Sequence, residues 1–448
     1  MSGGRSPKGE KPRSAGKSAD VRSLALASLV RWRADGKYAN LEVAASLGRA
    51  DLSDKDKALY TALVYGCVER ALTLDHILAS LSSRPLDELD GETRCAAWLG
   101  LYQLLYLDRV PDHAAVSATV EAAPRRSRSF VNAVLRSFIR VGKRVDLPDE
   151  PIDRLSVEYS MPRELVSFFA AAYPDRYEKI IASTLCRRPT TRRVNTLRIS
   201  VAEALAALGE GARAGAAPDT VAVDGESAAV LDGIERGLWF VQDASSRLAA
   251  HALGAEPGML VVDCCAAPGG KSFSLAIDAG DRADVRAFDL HENKISLIRD
   301  GAGRLGLTSV TAAARDAREC EPSLIGRADR VLVDAPCSGL GVIAKKPDIK
   351  YKSLADAARL PEVQFAILSE ASRYVKPGGE LVYSTCTLAP AENEGVFGRF
   401  LALRGDFEPL DFEAATRRSE RGSLTLFPDE GEWDGFFIAK CRRKESAE

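Results

Sequence analysis

The chain has 448 residues, 46% of them hydrophobic and 28% charged, with a formal net charge of −2. One hydrophobic core does not organise so long a chain, so several domains are expected, and the ordinary composition excludes a fibrous or wholly disordered protein. No apolar run approaches the roughly 18 residues a membrane span needs, and none follows the basic N-terminal residues as a secretory signal requires, so a cytoplasmic protein without a membrane partner is expected.

Residues 1–19, rich in Gly, Ser, Lys, Arg and Pro, read as a disordered basic tail that cannot bury enough apolar surface to offset chain entropy. Residues 20–145 read as an all-α bundle. Val21, Leu24, Ala25, Leu29 and Trp32 fall on one helix face, and Gly36 ends that run. Ser53 and Asp56 form an N-cap signal, and helices are predicted over 54–81, 92–107, 113–123 and 128–140. Residues 146–235 mix the two kinds of periodicity. Helices are predicted over 155–173, 176–185 and 201–208, and extended segments over 192–198 and 220–223, giving a small α+β module. From 236 to 445, apolar β-runs alternate with helices, the mark of an α/β, Rossmann-like domain with a parallel sheet covered on both faces. Its strands are predicted at 259–264, 285–289, 310–314, 330–333, 380–384 and 435–440.

Ligands in such sheets bind at the carboxyl ends of strands. After the first strand comes Cys265-Ala266-Ala267-Pro268-Gly269-Gly270-Lys271, then a helix. The glycines let a ligand approach the backbone, and the helix N-terminus offers N–H groups. The loop has neither GxGxxG nor Walker spacing. Asp289, Asp316 and Asp334 end the next three strands, where a nucleoside would find acceptors for its hydroxyl and amino groups. These carboxylates alone do not separate S-adenosylmethionine from a nicotinamide dinucleotide.

The nine cysteines are odd in number and lack close CxxC pairs, which excludes a disulfide scaffold or structural zinc, and no metal is expected. Cys67, Cys95, Cys186 and Cys441 read as inert core, Cys264 and Cys265 as packing beside the glycine loop, and Cys320 as a surface or loop residue. Cys337, in Asp334-Ala335-Pro336-Cys337-Ser338-Gly339, and Cys386, in Ser384-Thr385-Cys386-Thr387, differ, because each follows a strand end at the ligand cleft. A thiolate there is an available nucleophile. Addition of a thiolate to C6 of a cytosine makes C5 enamine-like and able to take a methyl group from a sulfonium. An acidic group must hold the base edge, for which Asp334 is the candidate, and a further group must assist elimination. Residue chemistry alone lets either thiol attack.

Three basic runs, 122–145, 187–198 and 345–352, point together to an RNA backbone, although each alone reads as a solvated face.

The segments CCAAPGGKS, VLVDAPCSGLGVIAKKPDIKYK, VYSTCTLAPAENE and DGFFIAKC resemble the motifs of the Nol–Nop–Sun family of RNA cytosine-C5 methyltransferases. YGCVERALTLD, GLYQLLYLDRVPDHAAVSATVEAA and FVNAVLRS are similar to a NusB-like RNA-binding domain. The resemblance runs from about residue 20 onward, and the pairing is that of the small-subunit ribosomal RNA branch of the family. It implies S-adenosylmethionine as cofactor, held by Cys265 to Lys271 with Asp289, Asp316 and Asp334. It implies Cys386 as the nucleophile and Cys337 as the residue that aids product release, and it places Lys271 near the target base. It implies RNA contacts at Arg193 and Asn195, and Lys345 and Lys346 are expected to join them. Arg315 stands where the family often has Gly, and Gly339-Leu340-Gly341 where it usually has GTG or ATG. No obligatory protein partner is implied. A transfer RNA substrate, a Rossmann oxidoreductase and a non-catalytic RNA-binding assembly factor are the alternatives. The paired cysteines with an intact glycine loop speak against the last two, and the NusB-like segment against the first.

Overall fold

The structure, a computed structural model, describes residues 20–36, 38–225 and 227–445; the tail expected over 1–19 lies outside them. The described residues form two compact units, one up to Ser160 and one from Met161. Among the described residues no helix is long and apolar enough to cross a membrane.

The first unit is helical. Its central helix, Gly91–Tyr106, buries Cys95 through Leu104 without interruption, as expected of a helix surrounded by others. The polar ends inside this core are matched: Asp75 accepts from Trp98 Nε1 at 2.8 Å and from Arg94 Nε at 2.7 Å. Helix Arg128–Arg140 buries Val131, Val134, Leu135 and Phe138 on one face and exposes Arg128, Arg136 and Arg140 on the other. The single helix predicted over 54–81 is two, Asp54–Glu69 and Ala71–Leu81. The break at Arg70 is stabilised from far along the chain. Ser160 Oγ accepts the Leu72 amide at 3.0 Å, and Thr73 Oγ1 donates to the Val157 carbonyl at 2.6 Å. Those bonds also tie helix Pro151–Glu158 to this unit, which runs to Ser160.

The second unit holds two sheets. The smaller comprises β1 (Thr190–Val194), β2 (Arg213–Ala214), β3 (Thr220–Val223) and β4 (Trp239–Val241), antiparallel in the order β2-β3-β1-β4. Helix Val201–Leu208 opens with a capping box between Ser200 and Glu203, and Val194, Ala204, Leu208, Val221, Val230 and Trp239 form the core. Trp239 pairs with Val194, so this sheet extends past the boundary expected at 235.

The larger sheet has eight strands. They are β5 (Leu260–Asp263), β6 (Asp284–Asp289), β7 (Val310–Ala314), β8 (Ala328–Asp334), β9 (Val375–Thr385), β10 (Phe407–Pro409), β13 (Ser423–Leu426) and β14 (Phe436–Arg443), with a separate hairpin of β11 (Glu413–Ala414) and β12 (Arg417–Arg418) between. Strands β7-β6-β5-β8-β9 are parallel, whereas β14 runs antiparallel to β9 and pairs antiparallel with β10 and β13. The sheet is therefore mixed; an apolar run shows that a strand is buried but not which way it points. Alternate residues enter opposite layers, as the pleat requires. Val261, Leu332 and Val382 join the layer of helices Ala244–Leu253, Gly270–Asp278 and Glu292–Leu305. Val262, Val331, Leu381 and Tyr383 join that of helices Leu360–Ala371 and Glu394–Leu403.

Candidate active site

The site is built at the carboxyl edge of β5, β8 and β9. Pro268 follows a cis peptide bond, and Gly269 has φ 112°, a conformation that disfavours any side chain. A Cβ there would also stand 2.3 Å from the Phe273 ring. The chain then enters helix Gly270–Asp278, whose first turn presents backbone N–H groups. A cavity of about 220 Å³ lies against this loop, lined by Asp263, Cys265, Ala267, Pro268, Lys271 and Asp334 among others.

Two features fit a nucleoside cofactor with a cationic amino acid part. Asp263 is fully buried, accepts from Ser272 Oγ at 2.6 Å through Oδ2, and has no partner at Oδ1. Its burial, with the nearby Asp334 charge, pushes its carboxyl up to about 7. At the end of β6, Asp289 receives the Ala267 amide at 3.3 Å and the His291 amide at 3.1 Å, so it braces the glycine loop. Asp316 is engaged by Arg318 through Nε at 3.0 Å. Arg315 turns away, pairing with Glu321 and lying 5.4 Å from the Phe288 ring centroid.

Strands β8 and β9 run in register, Asp334 opposite Ser384, so the loops that follow leave the sheet side by side. Asp334 accepts from Lys271 Nζ at 2.7 Å and from Ser384 Oγ at 2.8 Å. The two half-buried cysteines meet there, with Cys337 Sγ 3.2 Å from Cys386 Sγ. Only one of two such close sulfurs is readily ionised. A hydrogen bond from Cys337 pulls the Cys386 thiol below its ordinary value, aided by the charges of Lys271 and Lys346 against burial and Asp334. The same bond, with burial, drives Cys337 well above its own. Lys271 stays cationic because Asp334 outweighs the effect of burial. The arrangement sets two close thiols, the one at Cys386 the more readily ionised, beside a carboxylate–ammonium pair that lines the cavity.

The loop after Cys337 is fixed by a close crossing. Gly341 donates to the Cys386 carbonyl at 3.0 Å and accepts from the Gly435 amide at 2.9 Å. A Cβ on Gly341 would stand 1.9 Å from the Gly435 oxygen, so only glycine fits.

Arg193 and Asn195, where RNA contacts are expected, are bonded within the chain. Arg193 is wholly buried and bonds Asp278 Oδ1 at 2.8 Å, and Arg247 shares that carboxylate at 2.7 Å. Asn195, equally buried, donates to the carbonyls of Gly237 and Leu305, both at 3.0 Å. Arg193 lies on β1, the inner strand between β3 and β4, and Asn195 directly follows it, so both turn their polar groups inward. Lys345 binds Asp243, and Asp434 at 2.8 Å, so its charge is neutralised at home; Lys346 is exposed. Of the cysteines read as core, Cys67, Cys95 and Cys441 are buried, but Cys186 is exposed. Two residues the motif reading passed over, Gln364 and Glu392, lie buried behind Cys337.

Three family models match the chain: NusB family over residues 19–140, the ferredoxin-like domain of RsmF/B-like methyltransferases over 161–226, and 16S rRNA methyltransferase RsmB/F over 250–442. The probable ribosomal RNA small subunit methyltransferase B of Bacillus subtilis is 39% identical over 96% of this chain and 100% of its own length. The chain belongs to the RsmB/F family of 16S ribosomal RNA methyltransferases. The ribosomal RNA small subunit methyltransferase B of Escherichia coli O1:K1 is 34% identical over 88% of this chain and 92% of its own. A methyltransferase homolog protein from Pyrococcus horikoshii superposes with a TM-score of 0.58, is 28% identical, and covers 66% of this chain and 99% of its own. The protein is thus an S-adenosylmethionine-dependent ribosomal RNA methyltransferase, with a NusB-like unit, a ferredoxin-like module and a catalytic domain on a mixed sheet.

Proposed function

We propose that the protein methylates C5 of a cytosine in 16S ribosomal RNA by covalent catalysis, with Cys386 as nucleophile. The observation that carries this reading is the sulfur pair 3.2 Å apart, in which the Cys386 thiol is lowered and the Cys337 thiol raised. The thiolate adds to C6, and the displaced electron pair makes C5 nucleophilic. Bound S-adenosylmethionine would supply the electrophilic methyl group that C5 takes. The C5 proton is then lost to water, its bonding pair restores the C5–C6 double bond, and Cys386 leaves as thiolate, a step that Cys337 assists by donating its S–H hydrogen bond.

Asp334, held by Lys271 and Ser384, is the group that binds the N3/N4 edge of the base, and Lys271 reaches the same base. Residues Cys265 to Lys271 hold the cofactor, with Asp289 and Asp316 as further contacts. The base must leave its stack to lie between sulfur and methyl. Lys346 supplies positive charge at the entrance, and the reaction takes place in the cytoplasm.

The test uses unmethylated 16S ribosomal RNA carrying tritium at cytosine C5. Wild type releases tritium when S-adenosylmethionine is present, and Cys386→Ala releases none and forms no covalent RNA adduct. Cys337→Ala remains trapped on the RNA. Full turnover by Cys386→Ala, or equal activity on transfer RNA, overturns the reading.

A further inference from the structure

Cys337 lies in a three-residue segment gripped on both sides by one buried pair. Gln364, on helix Leu360–Ala371, is fully buried and uses both amide hydrogens: Nε2 donates to the Pro336 carbonyl at 2.9 Å and to Glu392 Oε2 at 2.8 Å. The same Glu392 oxygen accepts the Ser338 amide at 2.9 Å. The peptide groups before and after Cys337 are thus each bonded to one member of the pair. Glu392 is itself placed by its backbone, whose carbonyl accepts from Tyr383 OH at 2.6 Å. On the far side, Ser338 Oγ meets Thr387 Oγ1 at 2.7 Å, joining this segment to the one that bears Cys386.

Burying a carboxylate and an amide costs free energy that an ordinary helix-to-loop contact does not require. Neither side chain lines the cofactor cavity, and neither bonds Cys386 directly. What they share is the Cys337 segment. The charge of Glu392 also helps keep the Cys337 thiol protonated.

We propose that Gln364 and Glu392 are positioning residues that hold Cys337 at its working distance from Cys386, and thereby set how fast the methylated cytosine is released. The inference rests on the covalent reading above, in which Cys337 assists expulsion of the Cys386 thiolate as the C5 proton leaves. Loss of the grip therefore acts late in the cycle, after the Cys386–C6 bond has formed.

The experiment measures, on full-length protein with unmethylated 16S ribosomal RNA and S-adenosylmethionine, the fraction of enzyme covalently bound to RNA at steady state, alongside single-turnover methyl incorporation. Gln364→Met keeps the volume and removes both donors, and Glu392→Ala removes the shared acceptor. Both are expected to slow release by on the order of 10 to 100-fold, the cost of a displacement near 1 Å, with adduct accumulating as in Cys337→Ala. Methyl incorporation in the first turnover falls far less. Glu392→Gln, which keeps an acceptor oxygen for both donors, is expected to restore release, a recovery that a general loss of packing does not allow. Should Glu392→Ala fail to fold, Gln364→Met against Glu392→Gln carries the comparison. If Cys337→Ala traps RNA but Gln364→Met turns over without adduct, the positioning role is overturned. If Cys337→Ala itself does not trap, the covalent reading falls, and this inference with it.

Discussion

Arg193 and Asn195 lie on and just after β1, between β3 and β4, whereas Cys337 and Cys386 lie just beyond the ends of β8 and β9. Both pairs carry reactive or charged groups, and both fall in segments whose residue types suggest function. In the first pair the guanidinium ends of Arg193 and the Asn195 amide are turned toward the chain itself, to Asp278 and to carbonyls of neighbouring segments. In the second, the backbone is held by neighbours while the sulfurs, half-buried, are left facing each other. Residue type alone does not separate scaffold from chemistry, and neither does position past a strand end, since Asn195 also follows its strand. The separation lies in what the side chain bonds. Asn195 is spent on two backbone carbonyls, whereas at the carboxyl ends of the parallel strands β8 and β9, where ligands bind in such sheets, each sulfur bonds only the other among the described residues.

Four measurements sharpen or break this contrast. The largest effect is expected at Cys386→Ala, which should lower methyl transfer by on the order of 10⁴-fold or more with an unchanged urea midpoint; a large loss of stability would mean the thiol is structural. Arg193→Ala is expected to do the reverse. It leaves Asp278 short of one buried partner, at a cost of about 3 kcal/mol, while the salt dependence of RNA binding by the folded protein stays as in wild type. A shallower salt slope with unchanged stability would restore Arg193 to the RNA face.

The third concerns the S–H donor. Because the Cys337 hydrogen bond lowers the Cys386 thiol, Cys337→Ala should move the acid limb of Cys386 alkylation by iodoacetamide to higher pH. An unmoved limb would show that Lys271 and Lys346 set the thiolate without it. The smallest effect is one of stability. Burial raises the folded-state carboxyl of Asp263 to about 7, above the value near 4 of an unfolded chain. Its contribution is thus full in acid and lost as pH rises through about 7. Asp263→Asn, always neutral, should gain on wild type in urea melts at pH 8 relative to pH 5, and an equal difference at both pH values would place the ionisation elsewhere.

Much of the architecture was legible where local signals agree with the fold. Val201–Leu208 with its capping box, Thr220–Val223 and Val310–Ala314 have the bounds the sequence predicts. The break at Arg70 was not legible, because its stabilising bonds come from Val157 and Ser160. Helices Ala228–Glu235 and Ala244–Leu253 and strand β4 were missed as well; a strand of three residues is too short to show a period. At the site, Cys337, Cys386 and the glycine loop stand out because their neighbours are diagnostic. Glu392 was visible inside the AENE segment but without a role, and Gln364 is a polar residue on an apolar helix face with no local signal at all. Its meaning lies in Pro336 and Glu392, both 28 residues away.

The crossing of Gly341 with Gly435 has a consequence for modularity. Every side chain assigned to chemistry ends or follows a parallel strand, yet the segment after Cys337 is hung between the Cys386 carbonyl and the amide just before β14. A minimal methyl-transfer domain therefore cannot be cut out at the end of β9. A chimaera that swaps in a foreign β14 would need to bring its own backbone amide at the position of Gly435 and leave room at Gly341 for no side chain.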